Sequence, residues 1–150
     1  MPSLNRISLM IVLLSAPVIA GMGLLSYHLR QSMLEEPLRS AAREVQKLLP
    51  AEVYDGISLL EARSKPKELV YVLQVAERHT AAEHTASEVI AQFREDSIKA
   101  ICTDRSFGLL LAHGATFRYV LLLAQQSTAD GQIPAASFAV VEKSCQGHSL

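Results

Sequence analysis

Histidine and glutamate residues near the middle of the chain are the first candidates for metal chemistry. His79, Glu83 and His84 carry imidazole and carboxylate groups, which are common zinc ligands. A zinc-binding helix of the metalloprotease type places two histidines at positions i and i+4, on one face. His79 and His84 are five positions apart, so about 140° would separate them around a helix. This spacing favours a solvated polar loop, and we predict no metal and no other cofactor.

The two cysteines, Cys102 and Cys145, are the other candidates. As a nucleophile, either would need a free thiol beside a histidine such as His113 or His148. As zinc ligands they would need a Cys-x-x-Cys pair or histidines at ligand spacing, and the sequence has neither. In an oxidising compartment an isolated pair most simply forms a disulfide, which we predict here; the alternative is two free buried thiols. Ser106-Phe107-Gly108 lacks the Gly-x-Ser-x-Gly elbow, so no catalytic residue is predicted.

The composition excludes several classes of protein. The chain has 150 residues, of which 49% are hydrophobic and 19% charged, so it is neither disordered nor collagen-like. The formal net charge is −1, tryptophan is absent and aromatic residues make up 5%. Nucleic-acid binding domains usually carry a basic field with interleaved aromatics, so we predict no nucleic-acid partner.

The mean hydropathy of +0.20 has a local cause. Residues 7–27 (ISLMIVLLSAPVIAGMGLLSY) contain no charged side chain. A helix of about 20 apolar residues spans a hydrocarbon core of roughly 30 Å. The segment therefore predicts contact with membrane lipid. From residue 31 onward the chain is mildly acidic, with twelve Lys and Arg against fifteen Asp and Glu.

Two interpretations of this segment remain open. In the first, residues 1–30 form a permanent anchor in the inner membrane and residues 31–150 form a single periplasmic domain. In the second, the segment is a signal peptide cleaved near Ala20, which would release a secreted or periplasmic protein. The apolar residues Met22, Leu24 and Leu25 continue past the cleavage site and favour the anchor. Both interpretations place the domain outside the cytoplasm, where a disulfide forms.

Helical patterns follow the apolar segment. Glu35, Glu36 and Pro37 suit a first helical turn, and Pro50 ends the helix. Its apolar face is predicted to consist of Leu38, Ala41, Ala42, Val45, Leu48 and Leu49. A second helix follows the capping box Thr85-x-x-Glu88 and ends at Cys102, with an apolar stripe at Val89, Ile90, Phe93, Ser97, Ala100 and Ile101. A short third helix is predicted from its N-cap Asp104 to Leu111, with Gly114 as its stop.

Strand patterns occupy the rest of the chain. Residues 53–75 predict a hairpin whose strands contain Ile57–Leu60 and Leu69–Val75. Residues 116–124 and 133–143 predict a second hairpin around a loop at residues 125–131. The order is helix, hairpin, helix with a short extra helix, and hairpin. We therefore predict an α+β fold with a four-stranded antiparallel sheet and helices on one face.

The strands are more apolar than a sheet with one solvated face requires. Leu69–Val75 and Val120–Ala124 are almost uninterrupted apolar runs. Either the chain covers both faces itself, or one face, one edge or the anchor helix binds a partner. The candidate interaction residues on these strands are Tyr71, Leu73, Val75, Tyr119, Leu121 and Leu123.

A skeleton of turns, strand aromatics and cysteines runs through residues 45–145. Its members are Leu49-Pro50, Asp55, Tyr71-Val72-Leu73, Cys102, Gly114, Phe117-Arg118-Tyr119 and Cys145. In these features the chain resembles a loose group of small bacterial envelope proteins with an N-terminal hydrophobic segment. The group has no assigned activity, so the resemblance implies a fold and no catalytic residues. Leu121 stands where the group often has a second strand aromatic.

These observations together favour a non-enzymatic function. We predict a membrane-anchored binding or assembly module of the bacterial envelope, with an envelope protein or a second copy of the chain as its partner. The alternative is a secreted soluble factor or inhibitor released by cleavage near Ala20.

Overall fold

The structure, a computed structural model, describes residues 33–76, 86–124 and 134–148. Within these ranges the chain forms three α-helices, five β-strands and a final 3₁₀ helix. Their bounds are α1 Glu35–Gln46, β1 Ala51–Tyr54, β2 Ile57–Lys65, β3 Glu68–Val75, α2 Ala86–Thr103, α3 Arg105–Ala112, β4 Thr116–Leu123, β5 Ala136–Val140 and the 3₁₀ helix Glu142–Cys145.

The described strands form one mixed sheet in the spatial order β1-β2-β3-β4-β5. The two predicted hairpins are present as the antiparallel pairs β2–β3 and β4–β5. β3 and β4 run parallel, with Glu68 opposite Thr116 and Val75 opposite Leu123. The predicted four-stranded antiparallel sheet is therefore wrong in its strand number and in this pairing. α2 and α3 connect β3 to β4, and a helical crossover of this kind brings the next strand back in the same direction.

The additional strand is β1, at one edge of the sheet. Asp55 and Gly56 form a two-residue connection between β1 and β2, with Tyr54 opposite Ile57. Gly56 has a φ of 73°, a left-handed conformation that glycine adopts without a Cβ clash. Asp-Gly between two strand-like segments is a recognised hairpin signal. Because β1 has only four residues and weak alternation, its pattern alone did not indicate a strand.

The first helix is shorter than predicted. α1 begins at Glu35 as expected but ends at Gln46, and Lys47 is its C-cap. The side-chain oxygen Oε1 of Gln46 accepts a hydrogen bond of 3.1 Å from the backbone N–H of Ala62 on β2. Leu48, predicted on the buried face, is 53% exposed because it lies beyond the helix end. Of the other predicted contacts, Leu38, Ala41, Ala42 and Val45 are buried, and Leu49 is half-buried against the core.

The short helix α3 and its two ends are confirmed. The carboxylate oxygen Oδ1 of Asp104 accepts backbone hydrogen bonds from Ser106 at 2.8 Å and Phe107 at 3.2 Å, which is the N-cap arrangement. Gly114 follows the helix with a φ of 89°, and its N–H donates to the carbonyl of Leu111. α2 buries Phe93, Ser97 and Ile101 from the predicted stripe.

The described helices all pack on one face of the sheet, which we call the inner face. A single hydrophobic core joins the helix residues to alternate strand residues, among them Leu38, Val45, Phe93, Ile101, Leu110, Ile57, Leu59, Leu69, Leu73, Phe117, Leu121 and Val140. The strand residues between these positions point to the opposite, outer face. The core therefore lies between the helices and the inner face.

Several predicted features lie outside the described residues. They are the apolar segment 7–27, the cleavage site near Ala20, the residues His79, Glu83 and His84, the capping residue Thr85 and the loop 125–131. In residues 33–76, 86–124 and 134–148, no helix is long and apolar enough to cross a membrane. The division into an anchor and a periplasmic domain stays a prediction.

Candidate functional site

The predicted interaction residues on β3 and β4 lie in the core. Tyr71, Leu73 and Val75 on β3, with Tyr119 and Leu121 on β4, are all buried, and the most exposed of them is 8% accessible. Leu123, at the end of β4, is half-buried and packs against the same core. The helices of this chain cover these side chains. A partner that docks on β3 and β4 would therefore meet the alternating residues on the outer face.

Phe93 of α2 is the centre of an aromatic cluster on the inner face. Its ring packs edge-to-face against Tyr54 at 5.5 Å, Tyr119 at 5.9 Å and Phe138 at 6.2 Å between ring centroids. Tyr54 is on β1 and Phe138 is on β5, so one side chain bridges both edge strands of the sheet. The cluster fixes α2 across the sheet and gives the site a rigid base.

Two buried tyrosines pack side by side beneath α2. Tyr119 stacks on Phe138 at 4.8 Å and lies 5.2 Å from Tyr71, again between ring centroids. Burial raises the pKa of both phenols well above the usual value, and electrostatic repulsion from the Tyr71 phenol adds to the effect on Tyr119. Both phenols are therefore neutral at physiological pH and contribute to packing.

The third tyrosine, Tyr54, links β1 to α2 through its hydroxyl group. The O–H donates to Oδ2 of Asp96 at 2.8 Å, and Gln92 Nε2 donates to Oδ1 of the same carboxylate at 3.1 Å. Burial, and then the Asp96 carboxylate, raise the pKa of Tyr54 to about 12. The carboxylate thus serves as a structural acceptor for two donors.

The outer face of the sheet has an apolar centre on its two parallel strands. Val70 and Val72 on β3 lie opposite Arg118 and Val120 on β4, and Leu122 follows two positions later. Val70 and Leu122 are buried, while Val72 and Val120 are half-buried. Val72 and Val120 are thus apolar side chains of this face that a partner can reach. The uninterrupted apolar run in the sequence indicates these two residues, since a strand with one solvated face would have polar residues at their positions.

Charged residues border this apolar centre. Arg118 Nε pairs with Glu68 Oε1 at 2.5 Å, and the Glu68 side chain is only 18% exposed. Arg63 Nη1 lies 3.7 Å from Glu61 Oε1 on β2. Lys65 is exposed at the end of β2. An apolar centre with a charged rim is the usual anatomy of a protein-binding surface.

The predicted disulfide is present between Cys102 and Cys145. Their Cα atoms are 5.2 Å apart and the bridge closes a sequence separation of 43 residues. Cys102 belongs to the last turn of α2, and Cys145 is the final residue of the 3₁₀ helix. The bridge therefore fastens the chain after β5 to the helical layer.

Among the described residues, the remaining candidates for chemistry have structural roles. His113 Nδ1 lies 2.7 Å from the carbonyl oxygen of Leu109, at the C-terminal end of α3. Ser106 lies in the first turn of α3 beside its N-cap. In the part of the chain that the structure describes, no group of three or more His, Cys, Asp or Glu residues could hold a metal ion.

Solved structures with the same fold include two pilotins of bacterial type II secretion systems. The chain is similar to the pilotin EpsS of the Vibrio vulnificus type 2 secretion system, with a TM-score of 0.61 and 19% identity over 78% of this chain and 96% of that one. It is similar to the type II secretion pilotin AspS of Vibrio cholerae, with a TM-score of 0.58 and 20% identity over 77% and 95%.

A third structure, a Pseudomonas aeruginosa protein assigned as secreted, has a TM-score of 0.60 and 19% identity over 80% of this chain and 99% of that one. No protein-family profile and no curated protein sequence matches the chain. At these identities the likeness establishes a shared fold: an α+β domain with helices and a mixed five-stranded sheet.

Proposed function

We propose that this protein is a non-enzymatic module of the bacterial cell envelope that helps to assemble a secretion apparatus. The observation that carries the proposal is the fold, which matches two secretion pilotins over at least 95% of their lengths. Because the match includes nearly the whole of each pilotin, it is not confined to one supersecondary motif. The predicted location outside the cytoplasm and the disulfide support the same function.

The partner in this proposal is a protein component of the secretion apparatus, bound on the outer face. Val72 and Val120 supply the apolar contacts, and the ion pairs Arg118–Glu68 and Arg63–Glu61 supply the polar rim. Interface centres are apolar while their rims are charged, which is the arrangement on this face. A surface without a reacting group is sufficient for such binding.

Site-specific photocrosslinking in intact cells tests this proposal. We would place p-benzoylphenylalanine at Val72 or Val120, with Leu109 as the control position, because Leu109 is apolar and 49% exposed on α3. We expect an adduct with an envelope secretion component from the two outer-face positions and none from Leu109. Recovery of the uncrosslinked chain alone from all three positions would contradict the proposed partner.

A second function, that of a secreted soluble factor or inhibitor, is favoured by the likeness to the secreted Pseudomonas protein. The two functions differ in the fate of residues 7–27. N-terminal sequencing of the protein from cells and from medium distinguishes them. Gly21 as the first residue of a protein found in the medium supports secretion, whereas an intact apolar segment in the membrane fraction supports anchoring to the inner membrane.

A further inference from the structure

The chain after β5 forms a short exposed segment, residues 141–148, which we call the C-terminal segment. It contains the 3₁₀ helix Glu142–Cys145, and no residue of that helix is buried. Val141, Glu142 and Lys143 are exposed, and so are the three residues after Cys145. Hydrophobic burial therefore contributes little to holding this segment on the domain.

The hydrogen bonds of the C-terminal segment, among the described residues, are internal to it. The backbone N–H of Val141 donates to Ser144 Oγ at 3.1 Å, and the N–H of Ser144 donates to the carbonyl of Val141 at 2.8 Å. Gln146 donates to Lys143, and His148 donates to Cys145. Within the described residues, no hydrogen bond or ion pair joins this segment to α2 or α3.

The end of α2, to which the segment is fastened, is stabilised without it. The N–H of Asp104 donates to the carbonyl of Ala100 at 3.2 Å, and Thr103 Oγ1 donates to the carbonyl of Lys99 at 2.8 Å. Ile101, beside the disulfide in sequence, is buried in the core. α2 therefore keeps its last turn whether or not the C-terminal segment is attached.

The sheet is also complete before the C-terminal segment begins. Val140 is the last residue of β5; it pairs with Phe117 and is fully buried. The covalent bridge between Cys102 and Cys145 is thus the main attachment of residues 141–148, together with the packing of Cys145 itself against the core.

From these contacts we propose that the Cys102–Cys145 disulfide holds the C-terminal segment on the domain under redox control. Its reduction releases this segment while the sheet and α2 stay folded. The reductant is a dithiol. Its thiolate attacks one cysteine sulfur, the S–S bond breaks, and the other cysteine leaves as a thiolate. The second thiol of the reductant then displaces the protein from the mixed disulfide, leaving an oxidised reductant and two protein thiols after protonation. Cys102 and Cys145 are both half-buried, so neither residue is enclosed in the core.

Limited proteolysis of the full-length protein in mild detergent tests the release. Trypsin cleaves after Lys143 in the C-terminal segment and after Lys47, an exposed reference site at the end of α1. On treatment with dithiothreitol we expect cleavage after Lys143 to accelerate at least about tenfold, because local release raises the population of the cleavable form. Cleavage after Lys47 proceeds by local fraying at the end of α1 and does not require global unfolding, so its rate should change less than about twofold. The Cys102→Ser/Cys145→Ser variant should behave as the reduced protein without any reductant.

Three results would overturn the proposal. Equal acceleration at Lys47 and Lys143 would show that the disulfide holds the whole domain together. An unchanged rate at Lys143 after complete reduction would show that other contacts hold the C-terminal segment. A disulfide that dithiothreitol reduces only in the presence of denaturant would show that thiols cannot reach it in the folded protein.

Discussion

The replacement of Phe93 by alanine tests whether one side chain holds α2 across the sheet. Phe93 is 2% exposed and has three aromatic neighbours, which come from β1, β4 and β5. The other α2 residues that are buried are Ser97 and Ile101, so Phe93 is the largest anchor of this helix. Its loss should loosen α2 from both edges of the sheet together.

The magnitude follows from burial and ring geometry. Truncation of a buried phenylalanine to alanine costs about 3–5 kcal/mol in unfolding free energy, because transferred surface is lost and a cavity remains. Each edge-to-face ring pair contributes about 0.5–1.5 kcal/mol beyond area burial. Phe93→Leu keeps most of the apolar volume and loses the three ring pairs, so it should cost about 1.5–4.5 kcal/mol. Against a total of about 5–15 kcal/mol for a small domain, Phe93→Ala removes a large share.

Urea denaturation followed by circular dichroism measures these free energies through the midpoint at constant m-value. Leu109→Ala is the matched control, since Leu109 is 49% exposed and its loss should change the free energy by less than about 0.5 kcal/mol. A cost below about 1 kcal/mol for Phe93→Ala would refute the central role of this ring. A cost below about 1 kcal/mol for Phe93→Leu would refute the contribution of the ring pairs.

Three further predictions concern the disulfide, a helix glycine and a tyrosine. Cys102→Ala/Cys145→Ala should lower the free energy of unfolding by about 4 kcal/mol, since the bridge restricts the unfolded chain over 43 residues; a loss under about 1 kcal/mol in the same urea assay would contradict this. Gly108→Ala should raise that free energy by up to about 1 kcal/mol, because a Cβ there meets no atom within 4 Å and alanine is the better helix former; a lower midpoint would contradict it. The pKa of Tyr54 is raised to about 12 from the ordinary 10.0, so this residue binds its proton more tightly in the folded state. Its contribution to the free energy of unfolding is therefore fully present below pH 10 and is lost as the pH rises towards 12. Tyr54→Phe should therefore make the alkaline loss of stability shallower, and Asp96→Asn should move the absorbance titration of Tyr54 to lower pH; identical titration curves would contradict the hydrogen bond.

The parts of the fold that sequence patterns predict well are those with local causes. Asp104 was predicted as the N-cap of α3 because its side chain and the following N–H groups lie within one turn. Gly114 was predicted as the stop because a left-handed residue commonly ends a helix. The Cys102–Cys145 pairing could be predicted without knowledge of the fold, since two cysteines in an oxidising compartment allow one intramolecular pairing.

The features that were missed depend on distant parts of the chain. The direction of β4 relative to β3 is set by the crossover through α2 and α3, which strand patterns cannot report. Periodicity placed Leu48 on the buried face of α1, but the helix ends at Gln46, whose side chain accepts a bond from β2. Tertiary contacts of this kind override local propensity.

The candidate site shows the same limit. The apolar runs on β3 and β4 indicated correctly that more than one face has apolar side chains, but they could not say which residues the helices cover. The structure places Tyr71 and Tyr119 under α2, and leaves Val72 and Val120 half-buried on the outer face. The face that is buried depends on where the crossover helices pack. The alternation of side chains along a strand does not show which of its two faces this is.

The most direct measurement of the proposed function is secretion by a strain that lacks this gene. If the protein assembles a secretion apparatus, deletion should abolish or strongly reduce the export of type II secretion substrates to the medium, and expression of the intact chain should restore it. Export at the level of the parent strain after deletion would contradict the account.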